Sequence, residues 1–354
     1  MSEISHLAAD ATSRVFRALG DPQALDAAAS ADRRASLWRA LEQAGLTRAW
    51  VPESLGGAGA SLADGFEVLR VAGSFAVAVP LAETLLAGWL LAQGGIEVPA
   101  GALTAAPARA ADRLAIDGAG RISGTARAVP FARDAAHVAL VARRDGQAVV
   151  ALAARAQCAL TPGESQACEP RDLLRFEAVP ALALGAPRPG LDEERVLAMG
   201  AAVRAAQMSG ALEAILERTA TYAGERVAFE RPIARFQAVQ HALARLASEA
   251  AAALAAAGSA ADALDGGEAP AEALLLEVAS AKIRAGEAAG AGAAIAHQVH
   301  GAIGFSAEHP LHRYTQRLWA WRDDFGGESE WAARLGRMLA ARGAEALWPL
   351  LASR

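Results

Sequence analysis

The sequence predicts an α+β multidomain protein with an N-terminal α-helical domain (1–102), a middle antiparallel β domain (103–186) and a C-terminal α-helical domain like a four-helix bundle (187–354). The two outer segments carry apolar residues at helical spacing, with turns marked by Gly and Pro. The middle segment has short apolar runs bounded by Gly and a two-residue hairpin signal, Asp145-Gly146. The change from helical to hairpin signals and back predicts the order of the domains.

The N-terminal segment alternates helices with marked turns. Leu37, Leu41 and Leu46 are spaced as one buried helical stripe. Residues 51–59 combine Pro with three Gly and predict a loop. The run from Ser61 to Asp64 then has the form of a helix N-cap.

The later segments are predicted from strand and helix patterns in turn. His137–Val141 and Ala148–Leu152 flank the hairpin signal and predict two antiparallel strands. Between residues 233 and 254 apolar side chains recur every three or four positions, which predicts one apolar helix face. Gly266-Gly267 followed by Pro270 predicts the end of that helix and the start of the next.

Composition limits the classes of function. The chain has 354 residues, 53% of them hydrophobic and 21% charged, which is typical of a folded globular protein rather than a disordered one. A net charge of −5 leaves no basic surplus for a nucleic-acid backbone. Lys282 is the only lysine, so a lysine Schiff base has one candidate. Two cysteines, Cys158 and Cys168, and no recognisable signal peptide predict a cytoplasmic protein. The longest apolar stretch, Pro80–Ala92, is too short to span a bilayer.

The first candidate site is the acidic run Asp192-Glu193-Glu194, which follows Pro189-Gly190. Three carboxylates in the first turn of a helix complement the helix dipole, and this is the ordinary structural explanation. A Glu in this position that is removed from water also has the chemistry of a general base. The residues alone leave both interpretations open.

The second candidate is the segment Gln298–Phe305. A helix is predicted to end at Gly301, and the turn exposes backbone N–H groups that suit a phosphate or the edge of a flavin. A plain Gly helix stop explains the same pattern. The histidines near this turn have no carboxylate at a familiar ligand spacing, so no metal site is predicted; they are His297, His300, His309 and His312.

The third candidate is the run Gly326-Gly327-Glu328-Ser329-Glu330. Ser329 or Glu328 as the cap of the last long helix is the ordinary interpretation. The two glycines also permit a ligand to approach the backbone closely. No phosphate-binding P-loop is present, and no Gly-x-Gly-x-x-Gly follows a strand, so a Rossmann enzyme is not predicted.

Five motifs spread over nearly the whole chain together resemble the acyl-CoA dehydrogenase family. They are Ala44-Gly45-Leu46 with Val51-Pro52-Glu53 and Gly56–Gly59; Leu103-Thr104 with Pro107; Glu225–Phe229 with Arg231-Pro232-Ile233 and Phe236-Gln237; Gln298–Phe305; and Glu308–Tyr314. The third motif is the most specific. Five such motifs in this order make coincidence a poor explanation.

The resemblance implies a flavoprotein oxidoreductase of lipid metabolism, such as fatty acid β-oxidation, that binds FAD between subunits and acts on a CoA thioester. In the family a carboxylate removes the α-proton, the β-hydride passes to the flavin, and electron-transfer flavoprotein is the usual electron acceptor. The positions that match FAD contacts are Arg226, Phe229, Gln237, Gln298, Gly301, Ala302, Glu328, Ser329 and Glu330. Arg226, Phe229 and Gln237 are expected to contact the FAD of a neighbouring subunit. Gln298, Gly301 and Ala302 are expected to contact the adenosine and pyrophosphate parts of FAD. The implied assembly is a homodimer, a homotetramer or a hetero-oligomer with a paralogue.

The resemblance also locates the catalytic base. Most family members carry it in a Glu-Gly-Thr loop, where this chain has Gly326. A minority, resembling isovaleryl- and long-chain-type enzymes, carry it in an Asp-x-Glu-Arg run that opens the C-terminal domain. The run from Asp192 to Arg195 has this form, so Glu194 is the predicted catalytic base. Asp192, Arg195, Gly326 and Gly327 are expected to contact the substrate.

Three departures from the family pattern bear on function. Ala128-Val129-Pro130 stands roughly where the family has Trp-x-Thr against the flavin, Glu230 replaces a Gly, and Glu328 replaces the Thr of Glu-Gly-Thr. Such departures occur in partner subunits that hold half a FAD site. The prediction is an FAD-dependent acyl-CoA dehydrogenase that carries out α,β-dehydrogenation. The alternative is a non-catalytic or half-site partner subunit of a hetero-oligomeric acyl-CoA dehydrogenase.

Overall fold

Helices precede and follow one large sheet along the chain, in the order that the sequence predicts. The computed structural model describes residues 3–21, 31–186, 189–266 and 270–352. Before the sheet come α1 (Glu3–Leu19), α2 (Ala31–Gln43), α3 (Leu62–Gly73) and α4 (Leu81–Gln93). After it come α5 (Glu193–Glu225), α6 (Gln237–Asp265), α7 (Ala271–His300), α8 (Leu311–Asp323), α9 (Glu328–Arg342) and α10 (Leu347–Ala352). The predicted fold class is confirmed, and the domain boundaries stay predictions.

The sheet lies between residues 103 and 185. Its strands are β1 (Leu103–Ala106), β2 (Arg113–Ile116), β3 (Arg121–Pro130), β4 (His137–Arg144), β5 (Gln147–Ala154), β6 (Ala159–Thr161), β7 (Arg171–Pro180) and β8 (Ala183–Gly185). The strand order is β6-β7-β3-β2-β4-β5-β8, and β1 pairs with β4. Most neighbours are antiparallel, but β1 and β2 each run parallel to β4. A separate hairpin joins β9 (Val227–Ala228) to β10 (Arg231–Pro232).

Local sequence signals explain several element ends. The Ser61 hydroxyl accepts from the Asp64 N–H (3.1 Å) and the Asp64 carboxylate accepts from the Ser61 N–H (3.3 Å), which is the predicted cap of α3. Asp145 and Gly146 turn β4 into β5 with φ values of 52° and 80°, as a tight hairpin turn requires.

The predicted stripe of three leucines in the N-terminal segment is wrong in one part. Leu37 and Leu41 are buried in α2, but Leu46 lies in a separate 3₁₀ turn. The helix stops first because Gly45 adopts the left-handed region, with a φ of 72°.

Helix α5 forms the centre of the molecule. Every residue from Val196 to Leu212 is buried, and α6 and α7 pack against it and against each other. Where α3 crosses α5, a Cβ at Gly210 would overlap the Arg70 carbonyl oxygen and one at Gly73 would overlap that of Gln207. The two glycines therefore allow backbone-to-backbone approach. Among the described residues no helix is long and apolar enough to cross a membrane.

Candidate functional site

The predicted FAD contacts after α5 lie on an exposed hairpin. The Arg226 N–H donates to the Tyr222 carbonyl (2.8 Å) and ends the helix. Phe229 and Glu230 form the two-residue turn between β9 and β10, with φ values of 50° and 65°. The Phe229 ring is 88% exposed. The hairpin thus presents an aromatic ring close to an exposed arginine.

The base of this hairpin is held by ring contacts. The Arg231 guanidinium lies over the Phe236 ring, 4.3 Å from its centroid, and the Phe229 ring meets Phe236 edge-on at 6.1 Å. Gln237 opens α6 immediately afterwards and is exposed. The start of α6 is tied back to α5 because the Ile233 N–H donates to the Arg226 carbonyl at 2.8 Å.

The second predicted stretch, at the end of α7, is also exposed. The helix ends at His300, and Gly301 follows with a φ of 64°. The Tyr222 ring stacks on His300 at 4.5 Å, so the ends of α5 and α7 meet. Six predicted FAD residues are therefore exposed at the joined ends of α5 and α7, on the hairpin and at the start of α6. We call them the outer set: Arg226, Phe229, Gln237, Gln298, Gly301 and Ala302.

A small cavity of about 350 Å³ opens beside the outer set. Its lining residues are Ala294, His297, Gln298, Gly301, Phe305 and Trp319. The His297 ring stacks on Phe305 at 4.1 Å and is nearly parallel to Trp319 at 6.4 Å. Burial lowers the pKa of His297. Within the described ranges no group of His, Cys, Asp and Glu side chains is arranged to hold a metal ion.

The third predicted stretch, at the start of α9, differs from the outer set. Glu328 pairs with Arg322, and its carboxylate lies directly on Gly286 of α7, where a Cβ would overlap it. The N-cap of α9 is Gly327, and neither Glu328 nor Ser329 caps the helix. The predicted side-chain cap is therefore wrong, because Glu328 is already the first helical residue and is held by Arg322. Ser329 is exposed.

The position of the family's usual base is closed. Gly326 is buried with a φ of 95°, and a Cβ there would lie 2.9 Å from Trp331 Nε1 and 3.2 Å from Glu330 Oε2. Trp331 Nε1 donates to the Phe325 carbonyl at 3.0 Å, and Glu330 pairs with Arg334 at 2.9 Å. Side chains at the start of α9 therefore hold the turn at Gly326 in place.

The three acids at the start of α5 have three different surroundings. Asp192 is the N-cap and accepts from the Arg195 N–H at 3.0 Å. Glu193 pairs with Arg143 of β4, with 2.7 Å between Nε and Oε1. Glu194 is exposed, and in the described part of the chain no hydrogen bond or ion pair holds its carboxylate. The cap and the tether are structural, so Glu194 is the acid of this turn that has no structural partner in the described residues.

A buried group of charged side chains lies where the helices meet the sheet, and no sequence motif predicted it. Arg204, 2% exposed, donates to Glu83 of α4 (2.6 Å) and to Asp324 after α8 (3.0 Å). Asp324 also pairs with Arg171 of β7 at 2.7 Å. We call these four residues the interior ion cluster. The available signal was a charge inside an apolar run, as Glu83 interrupts Pro80–Ala92.

Further buried charges adjoin this cluster. Glu169 and Arg317 pair at 2.7 Å, and burial raises the pKa of Glu169. Lys282 Nζ donates to the carbonyls of Trp321 (2.7 Å) and Arg322 (2.9 Å). The three acids and three arginines of these pairs already balance in charge, so Lys282 is the surplus cation. Burial lowers its pKa to about 7.

Comparisons with known proteins agree on one family. Residues 192–334 match the family model for the acyl-CoA dehydrogenase C-terminal domain. The chain is 33% identical over 300 residues to acyl-CoA dehydrogenase IpdE2 of Mycobacterium tuberculosis, which covers 84% of this chain and 85% of that protein. It is similar to the solved ChsE4–ChsE5 complex from Mycobacterium tuberculosis (TM-score 0.85, 27% identity, 96% of this chain and 98% of that chain).

It is also similar to a variant of the Tcur3481–Tcur3483 steroid ACAD (TM-score 0.84, 28% identity, 95% of this chain and 98% of that chain). The identity to IpdE2 extends over most of both chains, and the motifs occur in the order that the resemblance requires. The chain therefore belongs to the acyl-CoA dehydrogenase family of oxidoreductases.

Proposed function

We propose that this chain is the half-site subunit of an FAD-dependent acyl-CoA dehydrogenase, and that it completes the FAD site of a partner subunit. The assembly then carries out α,β-dehydrogenation of an acyl-CoA thioester. One observation carries the proposal. The outer set is exposed in full, whereas Gly326, at the position of the family's usual base, is buried against Trp331 and lies beside the interior ion cluster.

The chemistry of the outer set fits a dinucleotide. The Arg226 guanidinium matches pyrophosphate oxygens with paired donors. The turn at Gly301 and Ala302 offers backbone N–H groups to an anion, and the Phe229 ring offers a face for stacking. The two glutamine amides add donors and acceptors for ribose hydroxyls. When bound, FAD supplies the hydride acceptor; the role of these residues is to bind and orient it.

The surroundings of Arg204, next to Gly326, do not suit an acyl group. Arg204 lies 5.8 Å from the Phe325 ring, next to Gly326, and pairs there with Glu83 and Asp324. An acyl chain that displaced Arg204 would leave the buried Glu83 carboxylate unpaired, at a cost of about 3–5 kcal/mol. The acyl-CoA of the assembly therefore binds in the partner subunit.

A hetero-oligomer is the proposed assembly. The two solved complexes reported above each pair two differently named proteins. An exposed half-site requires a second subunit that supplies the other half. Electron-transfer flavoprotein is the proposed electron acceptor of the whole assembly.

A complete enzyme that uses Glu194 as its base is the second candidate, because Glu194 is the one acid of the first turn of α5 without a partner in the described structure. In that case the Glu194 carboxylate takes the α-proton, with Asp192, Arg195, Gly326 and Gly327 beside the substrate. The assembly would then be a homodimer or homotetramer.

Expression of the chain alone and together with a paralogous acyl-CoA dehydrogenase separates the two candidates. We expect the chain alone to purify without flavin absorbance, and the co-purified pair to carry FAD that acyl-CoA bleaches. The substrate panel should include a steroid-linked acyl-CoA, because one similar structure is titled a steroid ACAD. Stoichiometric FAD in the chain alone, bleached by acyl-CoA, would overturn the half-site proposal.

A further inference from the structure

We propose that Tyr222 is a positioning residue that holds the two parts of the outer set in fixed relation to each other. The inference rests on the proposed FAD role of that set. The two parts belong to segments far apart in the chain: Arg226 ends α5, whereas Gln298 and Gly301 lie at the end of α7. One dinucleotide that contacts both parts requires them to be held together.

Tyr222 contacts both parts directly. Its carbonyl oxygen accepts from the Arg226 N–H at 2.8 Å, which fixes the backbone of the arginine one helical turn later. Its hydroxyl donates to the His300 carbonyl at 3.3 Å, and its ring stacks on the His300 ring at 4.5 Å with 23° between the planes. His300 immediately precedes Gly301. The Tyr222 side chain, carried on the last turn of α5, therefore ties the backbone that leads into Arg226 to the end of α7.

The other half of this contact is itself held in place. The His300 ring is 3% exposed, and its Nδ1 lies 2.8 Å from the Ala296 carbonyl. Because a carbonyl only accepts, Nδ1 carries the proton. The His309 ring packs against His300 at 4.7 Å and faces Tyr222 edge-on at 6.5 Å. Three aromatic rings thus lock together beneath the turn that starts at Gly301.

A fixed spacing affects how tightly FAD binds. Once one part of the outer set holds the dinucleotide, the other part is presented at high effective concentration. Loss of the Tyr222 contact lets the two ends move independently, so part of the binding free energy is spent on ordering them. The direct contacts to FAD remain, but their cooperation weakens.

The test is a fluorescence titration of FAD into the FAD-depleted assembly, made of this chain and its co-purifying subunit. Tyr222→Leu removes the ring and the hydroxyl, and we expect FAD to bind about tenfold more weakly. Tyr222→Phe keeps the stack and should restore affinity to within about threefold of the unmodified assembly. Tyr314→Phe is the matched control, since its hydroxyl donates to the Ser74 carbonyl (3.1 Å) and accepts from Arg218 (3.1 Å), and neither partner belongs to the outer set. Its FAD affinity should not change.

A double-mutant cycle distinguishes positioning from general destabilisation. With Tyr222 present, Arg226→Ala and Gln298→Ala each reduce the binding free energy for FAD. The sum of the two reductions should exceed the reduction in the double variant, because either change alone removes the cooperation. In the Tyr222→Leu background the reductions in binding free energy from the two substitutions should simply add. Unchanged coupling in that background, or unchanged FAD affinity of Tyr222→Leu, would overturn the inference alone. No effect of either single variant would overturn the FAD role of the outer set and the inference with it.

Discussion

Replacement of Arg204 by Met removes the cation at the centre of the interior ion cluster. The guanidinium is 2% exposed and donates to Glu83 and Asp324. Asp324 keeps its second partner, Arg171, but Glu83 loses the one ion pair that the described structure gives it. Met fills a similar volume without charge, so the change leaves a buried carboxylate unpaired instead of a cavity.

The expected magnitude follows from this burial. An uncompensated buried charge costs about 3–5 kcal/mol. The entropy of unfolding, about 2 cal/mol/K per residue, amounts to about 0.7 kcal/mol/K for 354 residues. The midpoint of thermal unfolding should therefore fall by about 4–7 °C. A second change, Glu83→Gln, removes the unpaired charge and should recover a large part of the loss.

Differential scanning calorimetry of the single and double variants measures these shifts. The control is Arg121→Met, which breaks an ion pair whose side chains are 55% and 44% exposed. Solvent screens such a pair, so its midpoint should change by no more than about 1 °C. A fall of less than about 1 °C for Arg204→Met, or no recovery with Glu83→Gln, would refute the account of the cluster.

Two further predictions concern backbone approach and the buried lysine. In a denaturant titration, Gly210→Ala should lower the free energy of unfolding by about 1–3 kcal/mol despite the higher helix propensity of Ala, because the new Cβ would overlap the Arg70 carbonyl. Gly258 of α6 has open space around it, so Gly258→Ala should raise the free energy of unfolding by about 0.5–1 kcal/mol. Equal effects of the two substitutions would contradict this prediction. Burial lowers the pKa of Lys282 from 10.5 to about 7, so between these values the unfolded chain binds a proton that the folded chain does not. The free energy of unfolding should therefore rise with pH across this window, and it should rise less in Lys282→Met. Parallel pH profiles of the two proteins would contradict this prediction.

Local patterns in the sequence predicted the elements whose causes are local. The cap at Ser61 and the hairpin at Asp145-Gly146 depend on neighbouring residues, and both form as predicted. The parallel pairing of β1 with β4 does not, since alternation fixes which face a residue takes but not the direction of a distant partner strand.

The residues of the candidate site also fall into a part that local sequence motifs predict and a part that they do not. The motifs predicted the members of the outer set, because each of them lies within a short recognisable run, and their contact with FAD stays a prediction. The interior ion cluster joins Glu83 to Arg204 across 121 positions and Arg204 to Asp324 across 120, and no local pattern pairs charges at such separations. Glu328 was expected to contact FAD, but in the structure it pairs with Arg322. Its carboxylate also lies against Gly286 of α7, a contact that no local pattern predicts.

In the half-site proposal, this chain binds FAD for a partner subunit and does not itself abstract the proton. Rapid mixing of acyl-CoA with the FAD-loaded assembly, followed by flavin bleaching, tests it most directly. Glu194→Gln in this chain keeps the shape and removes the basicity, and Glu193→Gln is its matched control at the neighbouring position. If the partner subunit supplies the base, flavin should bleach in both variants at rates within about twofold of the unmodified assembly. A selective loss of about 10²–10⁴-fold in Glu194→Gln, the scale of a positioned general base, would contradict it.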